Sequence, residues 1–204
     1  MTDRPTHVDQ DHLGGLVPLI ANYRVSQVIE SPLMPENALC QAWREALYEA
    51  QITPVLADRG MEIHLDERTR LQILHPRKDH LLSDDANANS IVIRLEMDQF
   101  EMLLTADIDQ DAEAYLVASH APLGVDVLKV AHHGAKTSSS QRFIDQVAPT
   151  VALISVGDDN PFGHPHEQVL ATLDDAGCQV LRTDQVGTIE CVSDGKQLWI
   201  HTQR

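Results

Sequence analysis

The chain has 204 residues, 43% hydrophobic and only 4% aromatic, so aliphatic side chains must fill a core sized for one or two domains. Asp and Glu number 31 against 15 Lys and Arg, a formal charge of -16 that works against broad adhesion to nucleic acid, so a polyanionic substrate would need a local positive centre such as a metal ion. Three scattered cysteines, Cys40, Cys178 and Cys191, give no disulfide framework, and no apolar run reaches the roughly 18 residues of a membrane span, so the chain as given is read as soluble.

Repeats and Gly/Ser linkers are absent, and residues 1–204 are taken as a single domain. The polar stretch "THVDQDHLGG" comes first, and "GGLVPLIANY" predicts a short helix right behind His12. "VSQVIE" reads as a short strand. In "PENALCQAWREALYEAQ", Leu39, Trp43, Ala46, Leu47 and Ala50 recur at helical spacing, with Pro35 and Glu36 as start signals. "MEIHLDERTRLQILHP" alternates as a hairpin closed by Pro76, "RKDHLLSDDANAN" is a polar loop, and "SIVIRLEMDQFEMLLTAD" gives two strands turning near Asp98 and Gln99. Strand and helix then alternate. Helices are predicted in "DQDAEAYLVASH", in "SSSQRFIDQVA", where Ser138 and Gln141 have capping-box spacing, and in "HEQVLATLDDAG", ending at Gly177. Strands are predicted in "VDVLKVA", "TVALISVG" and "CQVLRT", and a hairpin around Asp194 and Gly195 follows. A sheet with helices packed on it, α/β, accounts for this order.

His7, Asp9, Asp11 and His12 form an H-x-D-x-D-H stretch. Alternate residues of an extended segment point the same way, so His7, Asp9 and Asp11 can converge, while His12 at the following turn can close on a second ion. Imidazole nitrogen with carboxylate oxygen suits Zn²⁺ or Mn²⁺. The plain alternative is a solvated loop that contains two histidines. Asp107 ends the apolar strand "MLLTA", where it is either a ligand on the loop side of the sheet or the N-cap of the next helix. His132 and His133 end another apolar strand, and Lys136, Thr137 and Ser138 precede a helix start. That start offers free N–H groups to an anion, and capping by Ser138 is expected as well. His164 and His166 in "GHPH" read alone as surface histidines. His64, His75, His80, His120 and His201 have no convergent partners and receive no role, and Asp84 and Asp85 read as a solvated loop.

In the order His7-x-Asp9-x-Asp11-His12, "LLTAD", "LKVAHHGAKTSSS" and "ISVGDDNPFGHPHEQVL", the chain resembles the metallo-β-lactamase superfamily. More closely it is similar to the C-terminal soluble domain of the ComEC/Rec2 competence family, bacterial DNA-uptake channel proteins. The likeness runs from about Thr6 to Asp194, and its specific part is HHG-x-K-T-S-S-S together with S-V-G-x-x-N-x-x-G-H-P. It implies an αββα sandwich, lacking its first strands because only "MTDRP" precedes Thr6, and a site with two divalent ions, Zn or Mn. His7, Asp9, Asp11, His12, Asp107 and His133 would be the metal ligands, Asp9 standing where the superfamily usually has a second histidine. Asp107, His132 and His164 would be catalytic, and Lys136, Thr137 and Ser138 would hold substrate. The implied activity is phosphodiester hydrolysis, by a nuclease acting on single-stranded DNA in competence, with full-length relatives in the bacterial cell membrane. A small phosphodiester such as a phosphocholine ester, or a non-catalytic interaction remnant, are the alternatives.

Overall fold

The computed structural model describes residues 10–204. Two short helices, α1 (Gln10–Leu13) and α2 (Leu16–Asn22), lead to β1 (Ile29–Glu30), helix α3 (Ala38–Glu49) and β2 (Val55–Leu56). The hairpin β3 (Glu62–His64) and β4 (Thr69–His75) follows, then β5 (Val92–Met97) and β6 (Phe100–Leu104). After these come α4 (Gln110–Ala118), β7 (Val127–Lys129), α5 (Gln141–Val147), β8 (Val151–Ile154), α6 (Glu167–Asp175) and β9 (Gln179–Arg182). A one-turn helix α7 (Thr183–Val186), which the sequence reading missed, precedes the hairpin β10 (Thr188–Ser193) and β11 (Leu198–Gln203). The expected strand in "VSQVIE" contracts to β1, which pairs in parallel with β2.

Strands β3 to β9 form one seven-stranded sheet in sequence order. β3 to β6 are antiparallel neighbours, with short turns between β3 and β4 and between β5 and β6 and a long polar loop between β4 and β5, whereas β6 to β9 run parallel and are joined through α4, α5 and α6. Successive strand side chains point to opposite faces, and the core divides accordingly. Leu103, Leu128, Ala152 and Ile154 face one cluster, which includes Ala112, Leu116, Phe143, Ile144, Val169 and Leu173 of the helices. Val127, Val151 and Leu153 face the other, which the β10–β11 hairpin covers with Ile189, Cys191, Leu198 and Ile200. Strands buried on both faces need no polar alternation, which is why "MLL" and "VALI" read as apolar runs. This is the metallo-β-lactamase fold. A separate cluster, built on Leu13, Ile20, Cys40, Trp43 and Leu47, holds α1 to α3 together and so fixes the direction in which α1 presents Asp11 and His12.

Local signals differ from expectation in two places. Helix α3 is capped by Asn37, whose Oδ1 accepts from Cys40 N at 2.8 Å, rather than by Pro35 or Glu36. The capping box expected at Ser138 and Gln141 is not formed. Ser140 is the N-cap of α5 without a side-chain bond, and the hydroxyl of Ser138 donates to the carbonyls of Ala131 and Ala135. The polar loop 77–90 is organised by Asn89, fully buried, which accepts from Leu82 N and donates to the carbonyls of Ser83 and Asp85.

Candidate metal centre

Three segments converge at the loop end of the parallel strands. α1 brings Asp11 and His12, the turn after β6 brings Asp107, and the turn after β7 brings His132 and His133. His7 and Asp9 lie outside the described residues. One ligand atom each of Asp11, His12 and His133 lies within 4.8 Å of the others. His12 Nε2 is 3.0 Å from Asp107 Oδ2 and 3.7 Å from Asp11 Oδ2, and His133 Nε2 is 2.9 Å from the same Asp11 oxygen.

The backbone is bent to achieve this. Ala106, His132 and His133 have φ of 45°, 48° and 55°, left-handed values that cost a non-glycine residue about 1–3 kcal/mol each. The two turns are tied together by His132 N donating to Ala106 O at 3.0 Å. Gly134, at φ 80°, lets the His pair pack on the loop that carries His164, because a Cβ there would lie 2.6 Å from Cβ of Pro165. The amide of His166 donates to Gly134 O across the same seam at 2.9 Å. The HHG and GHPH motifs are therefore two sides of one junction.

These donors suit a divalent cation. His133 Nδ1–H donates to Ser155 O at 2.5 Å, which directs the Nε2 lone pair toward the Asp11 carboxylate. Two electron-rich atoms 2.9 Å apart need a proton or a cation between them. Asp107 is 4% exposed, and its buried Oδ1 has no hydrogen-bond partner among the described residues, an arrangement that a metal ion would satisfy. Burial opposes ionisation of Asp107, yet the His12 hydrogen bond and the charges of His12, His132 and His133 outweigh it and hold the carboxyl below its ordinary value. The helix-cap reading of Asp107 fails because Asp109 caps α4, its Oδ1 accepting from Asp111 N and Ala112 N at 3.1 and 3.0 Å. Lys129, at the end of β7, lies behind the carboxylates and donates from Nζ to Val130 O. Burial pushes its ammonium below the ordinary value, and the attraction of Asp107 and Asp11 opposes that shift.

A cleft of about 830 Å³ opens beside the cluster, lined by Asp11, Asp107, His132, His133, Phe162 and His164 among others. His164 therefore belongs to the site rather than to the surface, its ring centroid 5.9 Å from that of His132. Burial, then the neighbouring His132 and His133, pull its pKa below the usual histidine value. His166 instead caps α6, its Nδ1 accepting from Gln168 N at 3.3 Å. His75 is buried, with Nε2 donating to Ala88 O at 2.8 Å, far from any ligand role.

The structure places the expected substrate-binding trio away from the cleft. Ser138 is 2% exposed with its hydroxyl bonded inward, and the amides of Ser139 and Ser140 at the start of α5 donate to the Glu113 carboxylate. That internal carboxyl group occupies the amides expected to meet a phosphate. Lys136 and Thr137 are exposed on the loop packed against the start of α4, where Gln110 N donates to Thr137 O, and they do not line the cleft. Sequence reasoning kept Asn160 in the S-V-G-x-x-N-x-x-G-H-P pattern without a role, and gave none to Phe162 within the same quoted stretch. An Asn three residues before a glycine was the available signal of a side-chain-stapled loop.

Residues 5–158 match the family model described as the metallo-beta-lactamase superfamily. ComE operon protein 3 of Bacillus subtilis is 32% identical over 91% of this chain and 24% of its own length. Recombination protein 2 of Haemophilus influenzae is 33% identical over 82% of this chain and 19% of its own length. Competence protein ComA of Neisseria gonorrhoeae is 36% identical over 52% of this chain and 16% of its own length. The chain thus spans about a quarter or less of each of these relatives. No helix among the described residues is long and apolar enough to cross a membrane. Sheet order, ligand cluster and family match agree: the chain belongs to the metallo-beta-lactamase superfamily.

Proposed function

We propose that this domain is a metal-dependent phosphodiesterase whose substrate is DNA, single strands in particular, serving DNA uptake alongside the other parts of a larger membrane protein. The observation that carries the reading is the convergence of Asp11, His12 and His133 within 4.8 Å beside the partnerless buried oxygen of Asp107. Those four residues, with His7 and Asp9 from the same motif, would hold two divalent ions, Zn or Mn. When bound, such ions supply Lewis acidity toward a phosphoryl oxygen and bring the pKa of a water toward neutrality. Asp107, which lines the cleft, would orient that water. The Ser155 carbonyl keeps the His133 ring in the Nδ1–H tautomer, so its Nε2 is always presented to the site. His132 and His164 stand in the cleft, where either would donate a proton to the leaving oxygen. The competence and recombination names of the relatives favour DNA as the diester.

A small diester is the second reading. It is favoured by the cleft lining, which includes no Lys or Arg among the described residues to follow a phosphate chain. Metal-loaded protein should be assayed side by side on single-stranded DNA and on bis(p-nitrophenyl) phosphate. Metal-dependent cleavage of the strand supports the nuclease; hydrolysis of the small diester alone removes it. Absence of both, with no bound metal, would point to an interaction remnant.

A further inference from the structure

We propose that Phe162 is a stacking platform for a nucleobase flanking the scissile phosphate, an inference that rests on the DNA reading above. Phe162 is 77% exposed, on the loop between β8 and α6 that forms one wall of the cleft. An apolar ring so open to water is usually left to wander, yet this loop is stapled. Asn160 donates from Nδ2 to Gly157 O at 3.1 Å and to His164 O at 2.8 Å, while its Oδ1 accepts from His164 N at 2.8 Å. The ring lies nearly parallel to that of His164, with planes 20° apart and centroids 5.8 Å apart. His164 in turn meets His132 at 5.9 Å. The three rings form a file leading from solvent to the ligand cluster, and the outermost member keeps an open π face.

The cleft's charge strengthens the argument. Its described lining carries carboxylates and imidazoles but no Lys or Arg, within a chain of formal charge -16. Among the described residues no basic side chain lines the cleft to follow a nucleic-acid backbone, so a sequence-tolerant contact to the base face would supply affinity beyond the metal–phosphate contact. A base offers that face only when unpaired, so Phe162 also confers preference for single strands over duplex.

The test uses the metal-loaded full chain with labelled oligothymidylate, and a strand of equal length carrying abasic residues at its centre. Phe162→Ala should raise KM for oligothymidylate by about 5- to 150-fold, with the change in KM rather than kcat, and Phe162→Trp should restore or lower it. On the abasic strand, parent and Phe162→Ala should agree. A parent-like KM for Phe162→Ala on oligothymidylate, or an equal loss on both strands, overturns the platform while leaving the nuclease reading intact. A parent that cleaves bis(p-nitrophenyl) phosphate but neither strand overturns both.

Discussion

Replacing Gly134 with alanine should damage the site from behind without touching a ligand. The added Cβ would lie 2.6 Å from Cβ and 3.1 Å from Cα of Pro165, atoms of a rigid ring and of the backbone that cannot swing aside. Overpacking of this kind costs about 1–3 kcal/mol. The φ of 80° adds about 1–2 kcal/mol for any residue with a Cβ, giving about 2–5 kcal/mol in all. Gly177→Ala is the control, because Gly177 has a φ of 72° with nothing within 4 Å of its Cβ position, so only the conformational part, about 1–2 kcal/mol, should be lost. Urea unfolding of parent and both variants measures the two figures. The strain in Gly134→Ala should also push the His133 turn away from the His164 loop and weaken metal binding, as read by dialysis, whereas Gly177→Ala should bind as the parent does. If the two variants lost equal stability and bound metal alike, the seam between HHG and GHPH would not position the site.

Asp107→Ala and Asp109→Ala should separate ligand from cap. The first should lose bound metal, the second about 1 kcal/mol of stability with metal retained, as elemental analysis and urea unfolding will show. Lys136→Ala should leave KM for DNA unchanged, since Lys136 is outside the cleft; a raised KM would return it to the site. Burial lifts the Glu113 carboxyl from 4.5 to about 7 despite the amides of Ser139 and Ser140 donating to it. A raised folded-state value means stability that is fully present below pH 4.5 and lost as pH rises to about 7, by at most about 3 kcal/mol. Glu113→Gln should abolish that slope in unfolding free energy against pH, and an unchanged slope would refute it.

Much of this architecture was legible because its causes are local. The alternation of "RLQILH" and "VIRLEM" follows from sheets with two unlike faces, and "VALI" from a strand covered on both. The candidate ligands stood out for a similar reason, since Asp107 and His133 lie in the turns that follow β6 and β7, although His12 lies within α1 rather than at the turn expected. What escaped depends on partners distant in sequence. Nothing near Ser138 reveals that Glu113, some 26 residues earlier, occupies the amides at the start of α5. Asp107 was the cap candidate in the sequence, and only the observed start of α4 gives that role to Asp109, two residues on. His164, taken alone, read as a surface residue because the cleft it lines is assembled from Asp11, Asp107, His132 and Thr183, residues distant in sequence.

Asp11, His12, His133 and Asp107 are proposed to hold metal, and equilibrium binding puts that to the test. Parent and His133→Ala should be dialysed to equilibrium against Zn²⁺ and, separately, Mn²⁺, then analysed for metal, with circular dichroism to check that both remain folded. The account predicts stoichiometric metal in the parent and its loss in a folded His133→Ala. A parent without stoichiometric metal under either ion, or a variant that retains the parent's content, would contradict it.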